Sequence, residues 1–190
     1  MKHIVYGCLL LTILVSSANA QQTLRVTGTA LTYGTGFNTR AITRTFDLRL
    51  TGETSDADTA NYITVLRENG QDALLDAIND NDLGNATFGG RIGPRINAVR
   101  INDVDGKRRI RVLFERWMNF DEMRGGYRST DYPFGYMEII YDPRTGKGDG
   151  TYISAARIRF RDSRNEVEIE EFGSFPGRLL GVRVSGGPTR

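Results

Sequence analysis

The chain has 190 residues and carries 25 Lys and Arg against 23 Asp and Glu. That length suits one domain with its own core, and that balance gives no general attraction to nucleic acid or membranes. The single Cys and single His, Cys8 and His3, both stand in the first twenty residues, and a chain without them has no disulfide, no thiolate or imidazole metal ligand, no cysteine nucleophile and no histidine-based triad.

Those first residues read as a secretory signal: Lys2 and His3 make a basic start, Ile4 to Val15 an apolar run, and Ala18-Asn19-Ala20 a small-residue cleavage site. Cleavage is expected between Ala20 and Gln21, releasing residues 21–190 as one β-rich domain, secreted or periplasmic. The apolar run is shorter than the about 20 residues a spanning helix needs, and no later segment is as apolar, so no membrane span is expected after cleavage. Cys8 precedes most of the apolar run, where a lipid-bearing cysteine would follow it. A disulfide-free exported domain depends on its core alone.

In chain order, Thr23 to Tyr33 and Thr43 to Leu50 alternate as half-buried strands, the second placing Phe46, Leu48 and Leu50 on one face. Between them Gly34-x-Gly36 lacks the further glycine and the helix of a nucleotide fingerprint, so no cofactor is expected. Ser55, with Asp58 three positions on, caps a helix on which Ala60, Ile63 and Leu66 recur. Asn69-Gly70 ends it, and a second helix from Gln71 to Asp80 follows, so residues 56–80 are expected to form a helical hairpin. Strands then follow at Arg95 to Ile101, Lys107 to Arg116, Gly135 to Asp142, Thr151 to Phe160, Glu166 to Phe172 and Arg178 to Val184. Asp105-Gly106 is a two-residue hairpin turn, Asp142 to Gly150 a polar turn, and residues 185–190 a flexible tail.

One hairpin is readable in register. With Asp162 to Asn165 as the loop, Arg161 opposes Glu166, Arg159 opposes Glu168 and Arg157 opposes Glu170, while Phe160 meets Val167 and Ile158 meets Ile169 on the other face. A slip by one residue destroys both faces at once. The predicted fold is mainly β: a single-domain antiparallel β-barrel or β-sandwich of about eight strands with the helical hairpin inserted after the second strand.

With histidine and cysteine gone, an enzyme would have to use carboxylates, tyrosines, Ser with Lys, or a metal held by oxygen atoms. Asn79 to Asn85 concentrates oxygen ligands but fails the calcium-loop spacing, with Gly84 at the fifth position from Asp80 and Arg91 at the twelfth. No metal is expected there. Asn85-Ala86-Thr87 matches the N-glycosylation pattern. Nine acids between Asp47 and Asp82 face only Arg49 and Arg67, while Arg91 to Arg128 holds ten basic residues against five acids, an asymmetry that can mark partner surfaces.

Glu115 and Glu138, flanked by apolar residues, are the carboxylate pair a glycosidase-like hydrolase would use. The stronger candidate is the stretch from Tyr127 to Asp142, dense in rings. There Pro133 presets a turn and Gly135 permits its exit, so that Tyr132, Phe134 and Tyr136 with Trp117, Arg124 and Arg128 form a stacking surface for a sugar, an aromatic molecule or an anionic group. Against it stands plain packing of these rings within the fold. The expected function is a non-catalytic exported β-domain that binds a small molecule or an anionic envelope partner through this aromatic and arginine loop. The alternatives are the histidine-free carboxylate hydrolase and a structural envelope protein recognised through its acidic helices.

Overall fold

The computed structural model describes residues 23–33, 40–118, 120–173 and 175–186, the side chains of Phe120, Asp121 and Glu122 excepted. The expected secretory signal, residues 1–20, and residues 34–39 of the expected glycine loop lie outside the described residues. Strands β1 (Leu24–Tyr33), β2 (Ala41–Leu50), β3 (Gly84–Phe88), β4 (Arg91–Arg95), β5 (Ala98–Val104), β6 (Lys107–Glu115), β7 (Phe134–Tyr141), β8 (Lys147–Arg161), β9 (Glu166–Glu171) and β10 (Gly177–Gly186) form one antiparallel sheet. Helix α1 (Asp56–Ile78) follows β2, and α2 (Phe120–Gly125) with a 3-10 turn (Arg128–Asp131) fills the β6–β7 connection.

The sheet order is β4-β3-β2-β1-β10-β8-β7-β6-β5, with β9 paired to the far half of β8. It does not close, because β4 and β5 are its two ends. It does curl: Phe88 of β3 stacks on Tyr152 of β8 with ring centroids 5.3 Å apart, although four strand steps separate those strands, about 19 Å on a flat sheet. The concave face buries Val26, Leu48, Ala86, Val112, Met137, Ile139 and Leu179 in one cluster, and alternation along each strand supplies it. A second cluster lies on the convex face, where Leu66, Leu74 and Ile78 of α1 meet Phe134, Ile153, Ala156 and Ile158.

The two ends of the sheet are treated differently. Beside β5 runs the β2–α1 connector: Thr54 N–H donates to Val99 O at 2.9 Å, Val99 N–H to Thr54 Oγ1 at 2.9 Å and Ile101 N–H to Glu53 Oε1 at 2.9 Å. At the other end β4 contains Pro94, which has no amide to offer. Ile96 and Asn97 turn β4 into β5, and the buried Asn97 spends its amide on that corner, donating to Asn79 O and Asn81 O and accepting from Glu115 N–H.

Several expectations need correction. Among the described residues ten strands replace the expected eight or so, because five-residue β3 and β4 pair around Gly89-Gly90, both at positive φ. The segment read as one strand from Arg95 to Ile101 is broken at Ile96-Asn97. The expected break at Asn69-Gly70 is present: the helical segment is kinked at Gly70, whose φ of 84° and ψ of −174° are non-helical, and Asn81 just past its second half donates to the Tyr62 hydroxyl of its first. Its sheet-facing side is Tyr62 with Leu66, while Ala60 is exposed. The final strand continues through Ser185 and Gly186, which had been read as tail. Gly135 is not a loop exit: it sits in β7 opposite Phe114, and a Cβ there would come within 2.0 Å of that ring. The β8–β9 register, the Asp105-Gly106 turn and the Ser55 cap are found as read, with Asp58 N–H donating to Ser55 Oγ at 3.0 Å.

Candidate functional site: a cleft between the helix and the convex sheet

Helix α1 is pinned at both ends. At its start Arg100 donates to Thr54 O at 2.8 Å and to Asp56 Oδ1 at 2.6 Å. Beyond its end Asn81 Nδ2 donates to the Tyr62 hydroxyl at 2.9 Å and to Asn97 O at 3.0 Å. The helical segment and the sheet border a cleft of about 410 Å3, within the roughly 300–1,000 Å3 typical of ligand sites. Leu66, Leu74 and Ile78 form its helical wall, and Leu113, Ile158 and Ile169 belong to its sheet wall. Ile63 and Val167, 39 % and 42 % exposed, stand at its rim.

The polar groups lining the cleft are few: Thr54, Thr59, the hydroxyls of Tyr62 and Tyr136, and the guanidiniums of Arg100 and Arg111. Arg100 is already neutralised by Asp56 and Glu53. Arg111 is exposed, donates to Asn102 Oδ1 at 3.1 Å and makes no ion pair among the described residues. No carboxylate lines the cleft among the described residues. Burial, then the nearby Glu138, pushes the Tyr136 hydroxyl well above its ordinary range, so it stays protonated and donates to Glu138 Oε2 at 3.0 Å. Just outside, Arg109 Nε is 3.9 Å from Glu138 Oε1, near enough for charge attraction but too far for a hydrogen bond, and is buried without an acceptor. The cleft can therefore hold an apolar body and meet an acceptor or anion at one end, without an acid and base to attack it.

The residues singled out from sequence are dispersed. Tyr136 is in the cleft wall. Tyr132 and Phe134 are buried, 2 % and 0 % exposed. The Tyr132 hydroxyl donates to Glu170 Oε1 at 2.6 Å, with the Arg157 guanidinium 4.7 Å from its ring centre. Trp117 is 68 % exposed and lies with exposed Arg124 and Arg128 on the β6–β7 connection, away from the cleft lining. That connection is tied down by Arg116, which donates to Tyr132 O at 2.6 Å and Ser129 O at 2.7 Å. Glu115 faces Phe134 and Glu138 faces Arg111 across the β6–β7 ladder, four residues apart on the same face, about 14 Å along the strands.

Arg111, Ile63 and Val167 were missed. The signal for Arg111 was present, as a cation on the alternate face of the apolar run Ile110, Val112, Phe114. No family model, no curated protein and no solved structure matches the chain.

Proposed function

We propose that the protein is a non-catalytic exported binding domain whose ligand is a slender apolar molecule ending in an anionic or strongly hydrogen-bond-accepting group, held in the cleft under α1. The observation that carries this reading is the pairing of an apolar cleft of about 410 Å3 with one guanidinium, Arg111, that makes no ion pair among the described residues although Glu138 stands opposite it in the β6–β7 ladder. The apolar body would displace water from Ile63, Leu113 and Val167, and Arg111 would meet the head group. A charge-assisted hydrogen bond contributes about 1.5–3 kcal/mol, so removing it should weaken binding about tenfold or more. The absence of a carboxylate from the described lining supports binding over hydrolysis.

A fluorescent twelve-carbon carboxylate is the probe, with the alcohol of equal length as its neutral counterpart. Saturable binding of the carboxylate, weakened about tenfold by Arg111→Ala with little change for the alcohol, is the expected result. Failure of both probes to bind, or indifference to Arg111→Ala, would remove the proposal.

A second reading places a partner at the β6–β7 connection, as the sequence suggested. It is favoured by the joint exposure there of Trp117, Met123 and Tyr127, 68 %, 62 % and 59 %, beside Arg124 and Arg128.

A further inference from the structure

The convex face of β10, β1, β2, β3 and β4 is not part of the convex core beneath α1. Two neighbouring register rows cross it. One runs Ser185, Arg25, Arg49, Asn85, Arg95, and the next Lys147, Arg183, Thr27, Asp47, Thr87, Ile92. In these rows like charge stands directly opposite like charge twice, Arg25 against Arg49 and Arg183 against Lys147. Such pairs destabilise an antiparallel sheet. Elsewhere the chain places arginine opposite glutamate three times in the β8–β9 ladder and arginine opposite arginine once, Arg100 against Arg111, in the β5–β6 ladder. The single carboxylate of the rows, Asp47, is taken by Arg25. Arg49, Arg95 and Arg183 are exposed and have no ion-pair partner among the described residues.

We propose that this face binds a linear carboxylated polysaccharide. From Lys147 to Arg95 the cations extend over five strand steps, about 24 Å along the sheet, a span that suits a chain of anions and not a single small one. Guanidinium planes match carboxylates in a two-pronged geometry. Between the cations stand Ser185, Thr27, Thr87 and Asn85, neutral donors and acceptors suited to sugar hydroxyls. The rows contain no aromatic ring on which a nucleic-acid base could stack, and no cluster of large apolar side chains to enter a bilayer. This surface is separate from the cleft, and the proposal does not rest on the reading of the cleft.

The test uses the full chain released by its producing cells and polygalacturonate as the probe, with neutral dextran, single-stranded DNA and phosphatidylglycerol vesicles as the other arms. Polygalacturonate should bind, with affinity falling as salt rises, and dextran should not. Arg49→Ser with Arg95→Ser and Arg183→Ser should weaken polygalacturonate binding at least tenfold. Arg49→Glu, which puts opposite charges across β1 and β2, should weaken it while leaving the melting temperature equal or higher. Binding to DNA or vesicles as tight as to polygalacturonate, self-association abolished by the same substitutions, or binding untouched by them would each overturn the assignment.

Discussion

At Tyr132 a ring expected to face a ligand instead closes a small electrostatic network. Its hydrogen bond to Glu170, with burial adding, holds the phenol above its ordinary range, and the same bond is the main cause holding the Glu170 carboxyl below its own. A raised phenol contributes stability at every pH below about 10 and loses it as pH climbs through the folded value. A lowered carboxylate contributes above about pH 4.3 and loses it as pH falls through its folded value. Tyr132→Phe should therefore cost about 1 kcal/mol at pH 7, with the gap to the parent narrowing once acid protonates Glu170. Urea unfolding at pH 7 and at pH 3 measures both. Phe134→Ala should cost about 3–5 kcal/mol in the same assay, whereas Trp117→Ala should stay within about 0.5 kcal/mol. A loss at Trp117 as large as at Phe134 would contradict the burial described. The sequence shows that the segment is ring-rich. It does not show which rings face inward, because both faces of β7 are covered: Phe134 and Tyr136 lie against the helical segment and Met137, Ile139 and Tyr141 in the other cluster.

Among the elements, those with local chemistry were legible and those shaped by a neighbour were not. The Ser55 cap, the Asp105-Gly106 turn and the β8–β9 alignment each follow from residues close in the chain. By contrast β3 and β4 are five residues long, too short for a period, and β4 contains both Gly93 and Pro94. The start of β8 was read as turn because of Gly148 and Gly150, yet Gly150 is strand, and a Cβ there would lie 2.3 Å from Glu138 O. Its glycine answers a close backbone approach, not a bend. Gly150→Ala should cost about 1–3 kcal/mol through overpacking. Gly70→Ala, where nothing lies within 4 Å but φ is 84°, should cost about 1 kcal/mol from backbone strain alone. Calorimetry that ranked the two the other way would show that the close approach at β8 is not tight.

For the whole molecule, the mainly β character was within reach of periodicity, but the strand count and the open curled sheet were not, because β3 and β4 are too short to show a period and closure depends on which ends meet. The cleft was equally hidden: its walls draw on Ile63 and Val167, far apart in the chain and unremarkable in it. Export is a proposal carried by the first twenty residues, and it predicts that the protein recovered outside the cytoplasm begins at Gln21. Intact mass spectrometry measures this directly, and a full-length product retaining His3 would restore an imidazole to the available chemistry.

The two ends of the sheet bear on how the protein behaves when crowded. Along β5 the amides of Val99 and Ile101 are already spoken for by Thr54 and Glu53, and β4 pairs a missing amide at Pro94 with the flanking charges of Arg91 and Arg95. Neither margin offers an incoming chain an unbroken row to template on. At those two ends the open sheet is thus guarded against growing, strand upon strand, into a fibre.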